Sequence, residues 1–216
     1  MIPCIDMEVD PSFPTNAAFG MPAEEDVSEE GFGLFRGTWL IGDVSHDDAV
    51  AMIGEERQLA THVDLTAPTH AEFEAIAGAI ESNDPACLPP GFTSKHAHSE
   101  IISIVGDGHS AEPVLGSLDI GVAGLSYALT SVGCITAASC RGHLTEHAWS
   151  DHPVVFFAAE RTTVHWLTSS VRESGCGFAD ASSRGWLIAV EAPSITNFMD
   201  LANLIVSRAA AGQARK

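Results

Sequence analysis

The chain has 216 residues, of which 45% are hydrophobic and 18% charged, enough for one sizeable core and too apolar for a solvated, disordered polymer. Its formal charge of −19 is unevenly spread, with 19 acidic and 3 basic side chains in residues 1–100 against 10 and 7 in residues 101–216. A field of that sign repels phosphates and disfavours general nucleic-acid binding, while the acidic half suits a basic protein partner and the second half can still hold a small anion.

No apolar run approaches the roughly 18 residues of a membrane helix. The opening Met-Ile-Pro-Cys-Ile-Asp has neither the basic start nor the apolar block of a signal peptide, so the expected location is the cytoplasm with no membrane contact. Five cysteines, Cys4, Cys87, Cys134, Cys140 and Cys176, are odd in number and lack paired spacing, which fits reduced thiols.

Residues 1–35 read as a loosely packed acidic arm, because three prolines between Asp6 and Gly33 and the clusters Glu24-Glu25-Asp26 and Glu29-Glu30 interrupt any apolar period. Trp39-Leu40-Ile41 suggests a strand. Ser45 with Asp48 three residues on is close to a capping box and opens a helix expected to end near Leu59. Val63-Asp64-Leu65 reads as a short strand, and Thr69 with Glu72 opens a helix through Ile80. Residues 83–93, with Pro85, Pro89, Pro90 and Gly91, form a loop and a possible sub-boundary. His98 to Val105 reads as a strand.

The clearest apolar stripe is Leu118, Val122, Leu125, Leu129 and Val132, which predicts a helix over 117–132 capped by Ser117 and stopped by Gly133. Cys134 to Ala138 then forms a buried strand, and Val154 to Phe157 another whose unbroken apolar run implies burial on both faces. Arg161 to Ser174 is helical, Trp186 to Val190 is a strand, and Ser194 caps a last helix. This succession predicts an α/β (α+β-like) fold, a two-layer arrangement in which helices cover a mixed sheet, with residues 36–216 as one domain.

The chemistry concentrates in Ser139-Cys-Arg-Gly-His-Leu-Thr-Glu-His-Ala-Trp-Ser-Asp-His152, presented at the end of a strand. Several readings stand side by side. Cys140, His143, His147 and His152 can wrap a divalent metal such as zinc, with His96, His98 or His109 as substitutes for part of the set. Alternatively Cys140 is a nucleophile beside Arg141 and His143, with Gly142 turning backbone N–H groups toward an anion. In the anion version Ser139, Arg141 and Gly142 bind the ligand. His143-Leu-Thr-Glu146-His147 also fits the His-x-x-Glu-His string of inverted zinc proteases, which makes Glu146 a candidate base. The plainest alternative is a polar loop of solvated histidines with Cys140 as a small buried residue. The function these residues suggest is metal or small-anion binding, with a non-enzymatic acidic interaction or regulatory protein as the alternative.

Thr136-Ala-Ala-Ser139-Cys140-Arg-Gly142-His143, followed by the Pro153 to Phe157 strand, resembles a widespread group of bacterial proteins of unassigned function. These carry Thr-x-x-Ser-Cys-x-Gly-His before a Pro-x-Val-x-Phe strand. More distantly, residues 117–210 resemble the wybutosine-pathway tRNA methyltransferase family, whose motif is Ser-Ser-Cys-x-Gly-Arg. That resemblance implies an α/β fold, a methyl donor and a tRNA substrate, with Ser139, Cys140 and Gly142 at motif positions. Ala138 and His143 depart from it.

Overall fold

Local capping chemistry starts the first helices where the sequence places them. In the computed structural model, which describes residues 1–14, 16–23, 27–28, 31–32, 35–36, 43–106, 114–143 and 150–213, Ser45 and Asp48 form a complete capping box at the head of α1 (His46–Thr66). Thr69 accepts the Glu72 N–H at the head of α2 (His70–Ser82), and Asn83 closes that helix in the left-handed region. The preceding segments are three two-residue strands, β1 (Val27–Ser28), β2 (Gly31–Phe32) and β3 (Phe35–Arg36), paired as an antiparallel meander. The expected strand at Trp39 to Ile41 lies outside the described residues.

Two expected strands are helical. Val63-Asp64-Leu65 is the last turn of α1, because Val63 continues the buried face of that helix into a core it shares with α2. Within 98–105 the chain forms α4 (Glu100–Gly106), after the short α3 (Phe92–Lys95). Ile101 and Val105, four apart, are both buried in that same core. Burial of one helical face therefore outweighs the β preference of this isoleucine-rich run.

The helix expected over 117–132 begins only at Ala123, as α5 (Ala123–Ser131). Ser117 has φ 64° and Gly121 φ 97°, so the chain leaves helical geometry before it. The backbone N–H groups of Ile120 and Gly121 instead donate to the carboxylates of Glu81 and Glu56, at 2.8 and 2.9 Å. Carboxyl oxygens from two other helices replace intrahelical partners.

Beyond α5 come β4 (Ile135–Cys140), β5 (Val154–Ala158), α6 (Arg161–Ser174), β6 (Gly177–Ala181), β7 (Leu187–Glu191) and α7 (Ile195–Gln213). The sheet order is β4-β5-β7-β6 and every pairing is antiparallel. The α/β class stands, but the sheet is not mixed. Each strand next to another in the sheet runs opposite to it: α6 carries the chain from β5 to β6, an unexpected strand after Gly175 that runs in the direction of β5 but two places away, and β6 turns back into β7, which fills the place between them. β5 is buried along its whole length, as expected.

One face of the sheet, with Val155, Phe157, Phe178, Ile188 and Val190, packs against α5, α6, α7 and the start of α1. A second core takes no residue from the sheet and joins α1, α2 and α4 to Leu115 and Ile120 of the turn before α5 and to Ile195 and Met199 of α7. Each large apolar side chain buried there contributes roughly 1.5–3 kcal/mol. The arm is tied down at several places: Met1 and Ile2 bond Asp64 at the end of α1, Ser194 Oγ donates to Pro3 O, Ile5 N–H donates to Pro193 O and Phe178 N–H to Asp10 O, while Phe13 packs edge-on against Phe178. No helix among the described residues is long and apolar enough to cross a membrane.

Gly121 locks the start of α5 to α7, since a Cβ there would lie 2.3 Å from Ile195 Cβ. We expect Gly121→Ala to cost about 3 kcal/mol or more in denaturant unfolding, combining left-handed strain with overpacking. Gly133→Ala, at a left-handed position facing open space, is expected to cost only about 1–2 kcal/mol.

Candidate metal centre

The site is built where the end of β4 meets α2. Glu74 and Glu81 are seven residues apart and so share one face of α2. That face receives Arg141, whose side chain is 3% exposed. Arg141 Nε and Nη2 donate to the two oxygens of Glu81 at 2.9 and 3.2 Å, and Nη1 donates to Glu74 Oε1 at 2.8 Å. The Arg141 backbone N–H donates to Asp119 Oδ2 at 3.1 Å. Two carboxylates thus hold the guanidinium and a third the backbone N–H of the same residue, and an anion would have to displace Glu74 or Glu81 to reach the guanidinium.

His143 follows two residues later and lies between the carboxylates that Arg141 leaves partly unneutralised. Its Nδ1 is 3.2 Å from Glu74 Oε2 and its Nε2 3.4 Å from Asp119 Oδ2. Hydrogen bonds to Asp119, Cys140 and Glu74 push its pKa up to about 11, against burial and the charge of Arg141. Burial works to raise Asp119, yet the hydrogen bonds from His143 and the Arg141 N–H, with both positive charges, hold it below its ordinary value. Glu81 is raised by its burial, with the charge of Asp119 adding to it, against the pull of Arg141.

Cys140 completes the group. It is the last residue of β4, buried and paired across the sheet with Val154, and the Gly142 N–H lies 3.4 Å from its Sγ. The ligand atoms of Asp119, Cys140 and His143 all lie within 4.8 Å of one another. This group can hold a metal ion. Where a proton now sits on His143, a cation can sit, because the same carboxylates stabilise either.

The structure brings together only part of the set expected from the sequence. Cys140 and His143 converge, but His152 turns elsewhere, with Nδ1 2.8 Å from Asp151 Oδ1 and Nε2 3.5 Å from Glu191 Oε2. Its backbone, rather than its ring, meets the site: a Cβ on Gly142 would lie 2.6 Å from His152 Cα. Ser139 pairs with Val155 and, next to Cys140 in an extended strand, points to the opposite sheet face. Glu146 and His147, like His109, lie outside the described residues. His96 caps α3 and His98 is exposed in a turn, and neither belongs to the group.

Asp119, Glu74, Glu81 and Glu56 were not legible as site residues. The available signals were a carboxylate set in the apolar run Leu118-Asp119-Ile120 and two glutamates on one face of an otherwise apolar helix. Comparison of the chain with protein-family models, curated proteins and solved structures finds no match.

Arg141→Met leaves Glu81 without its counterion and Glu74 with His143 alone. We expect a loss of roughly 3–5 kcal/mol at neutral pH, read from urea unfolding. Glu56 offers a pH test. It is fully buried, and burial lifts its pKa to about 7, against the neighbouring backbone N–H groups and Arg57. A folded value above the free value of 4.5 means its contribution is complete below pH 4.5 and is lost as pH rises through about 7. The shift corresponds to about 3 kcal/mol. The stability difference between Glu56→Gln and wild type should grow by about that amount in favour of the variant between pH 4.5 and 8.5.

Proposed function

We propose that this chain binds a divalent transition-metal ion, zinc foremost, through Asp119, Cys140 and His143. The observation that carries this reading is the mutual approach of a thiol, an imidazole nitrogen and a carboxylate within 4.8 Å. A second carboxylate, Glu74, faces the other nitrogen of that imidazole. A sulfur and a nitrogen donor favour zinc over magnesium or calcium, which prefer all-oxygen sites. Glu74, accepting from Nδ1–H, leaves Nε2 free toward the metal and fixes the ring, the usual part of a carboxylate behind a metal-bound histidine.

Three protein ligands make a site of the open kind, with a further position for water or a small ligand. The chemistry a metal supplies there is Lewis acidity and an activated water. Arg141 holds Glu74 and Glu81 in place and prevents their charges from collapsing onto the ion. The surrounding carboxylates favour a cationic or neutral partner at the open position over an anionic one.

Elemental analysis of untagged protein tests the reading. We expect about one zinc per chain, retained through gel filtration and lost from folded Cys140→Ser and His143→Ala proteins. Wild-type protein that stays metal-free after incubation with zinc, or variants that keep the metal, would refute it.

A further inference from the structure

Asp119 is a side chain on an irregular turn, and a turn holds a ligand only as well as it is itself held. The Asp119–Gly121 turn is gripped at consecutive residues by three separate contacts. Asp119 accepts the Arg141 N–H. Ile120 N–H donates to Glu81, and Gly121 N–H donates to Glu56 Oε1. Glu81 belongs to the Arg141 cluster, whereas Glu56 reaches the turn from a different helix, α1.

Glu56 is costly to keep. It is 0% exposed, and its second oxygen, Oε2, has no hydrogen-bond partner. That atom lies 2.6 Å from where a Cβ on Gly124 would stand, so glycine at the head of α5 is what admits the carboxyl. A leucine of similar volume would fill the space without burying a polar group. What a leucine cannot do is accept the Gly121 N–H, in a turn where φ 97° and the Ile195 side chain leave the backbone no alternative course.

We infer that Glu56 is a positioning residue for the metal site, setting the Asp119 carboxylate toward Cys140 and His143 through the backbone of Gly121. This role presupposes the metal reading proposed above. The groups arrayed around Glu56 agree with it: Arg57 is the charged neighbour on its own helix, and the backbone N–H groups of Ala123 and Gly124 lie nearby, while that of Gly121 makes the one well-formed hydrogen bond. Glu56 therefore acts on backbone geometry and not by direct ligation.

Cobalt(II) is the probe, because its visible spectrum reports the ligand set and affinity follows from the same titration. Glu56→Gln keeps an oxygen acceptor for Gly121 and should bind cobalt within about threefold of wild type with the same spectrum. Glu56→Leu should bind it about tenfold or more weakly, with a spectrum shifted toward that of Asp119→Asn. Gly124→Ala removes no charge and improves helix propensity, yet pushes on Oε2. It should shift the spectrum in the same sense, which keeps the test open if the leucine variant does not fold.

Wild-type spectra and affinity in folded Glu56→Leu or Gly124→Ala would overturn the positioning role while leaving the metal reading intact. Absence of cobalt uptake by wild type, or a spectrum indifferent to Asp119→Asn and Cys140→Ser, would overturn both.

Discussion

The ion pairing of Arg141 with Glu81 and Glu74 is the constraint on which the site depends. It ties the residue just past the end of β4 to one face of α2, which the His143–Glu74 hydrogen bond also reaches. A guanidinium is always charged and presents its donors in a fixed fork, so it fixes both carboxylates in angle as well as in distance. A lysine would neutralise the same charge without that geometry. Burial makes the cluster all or nothing: complete, it specifies one arrangement, and missing a member it leaves charge stranded in a poorly solvated place.

The cation preference of the neighbouring pocket follows from the same cluster. Three carboxylates share one arginine, which leaves negative potential where His143 sits. The imidazole responds by holding its proton far above its ordinary range. A metal bound by Asp119, Cys140 and His143 would answer the same potential while exchanging a proton for two positive charges. The net acidity of the chain's first half, which looks like a surface property in the sequence, thus reaches the interior through Glu56, Glu74 and Glu81 of α1 and α2.

Legibility differed by the kind of force involved. Caps and periodic faces are local, and Ser45, Thr69, Gly175 and the stripe of α7 could be read from neighbouring residues alone. The strand expected at His98 to Val105 became a helix because Ile101 and Val105 are buried in the core shared with α1 and α2, which no window of sequence contains. The head of α5 was misplaced for a related reason: glutamates 39 and 65 residues away claim the backbone of Ile120 and Gly121. Within the site, Cys140 and His143 were legible because they are adjacent on the chain. Asp119 was not, since it arrives from a separate turn, and His152 was assigned to the cluster by proximity in sequence although its ring faces Glu191.

X-ray absorption at the zinc edge of the purified protein addresses the convergence of these three side chains most directly. The expected coordination shell has a single sulfur at about 2.3 Å with nitrogen and oxygen neighbours at about 2.0–2.2 Å. The sulfur should vanish on Cys140→Ser. A shell made only of nitrogen and oxygen, unchanged by that substitution, would mean that any bound zinc sits elsewhere and that Asp119, Cys140 and His143 do not act together on a metal.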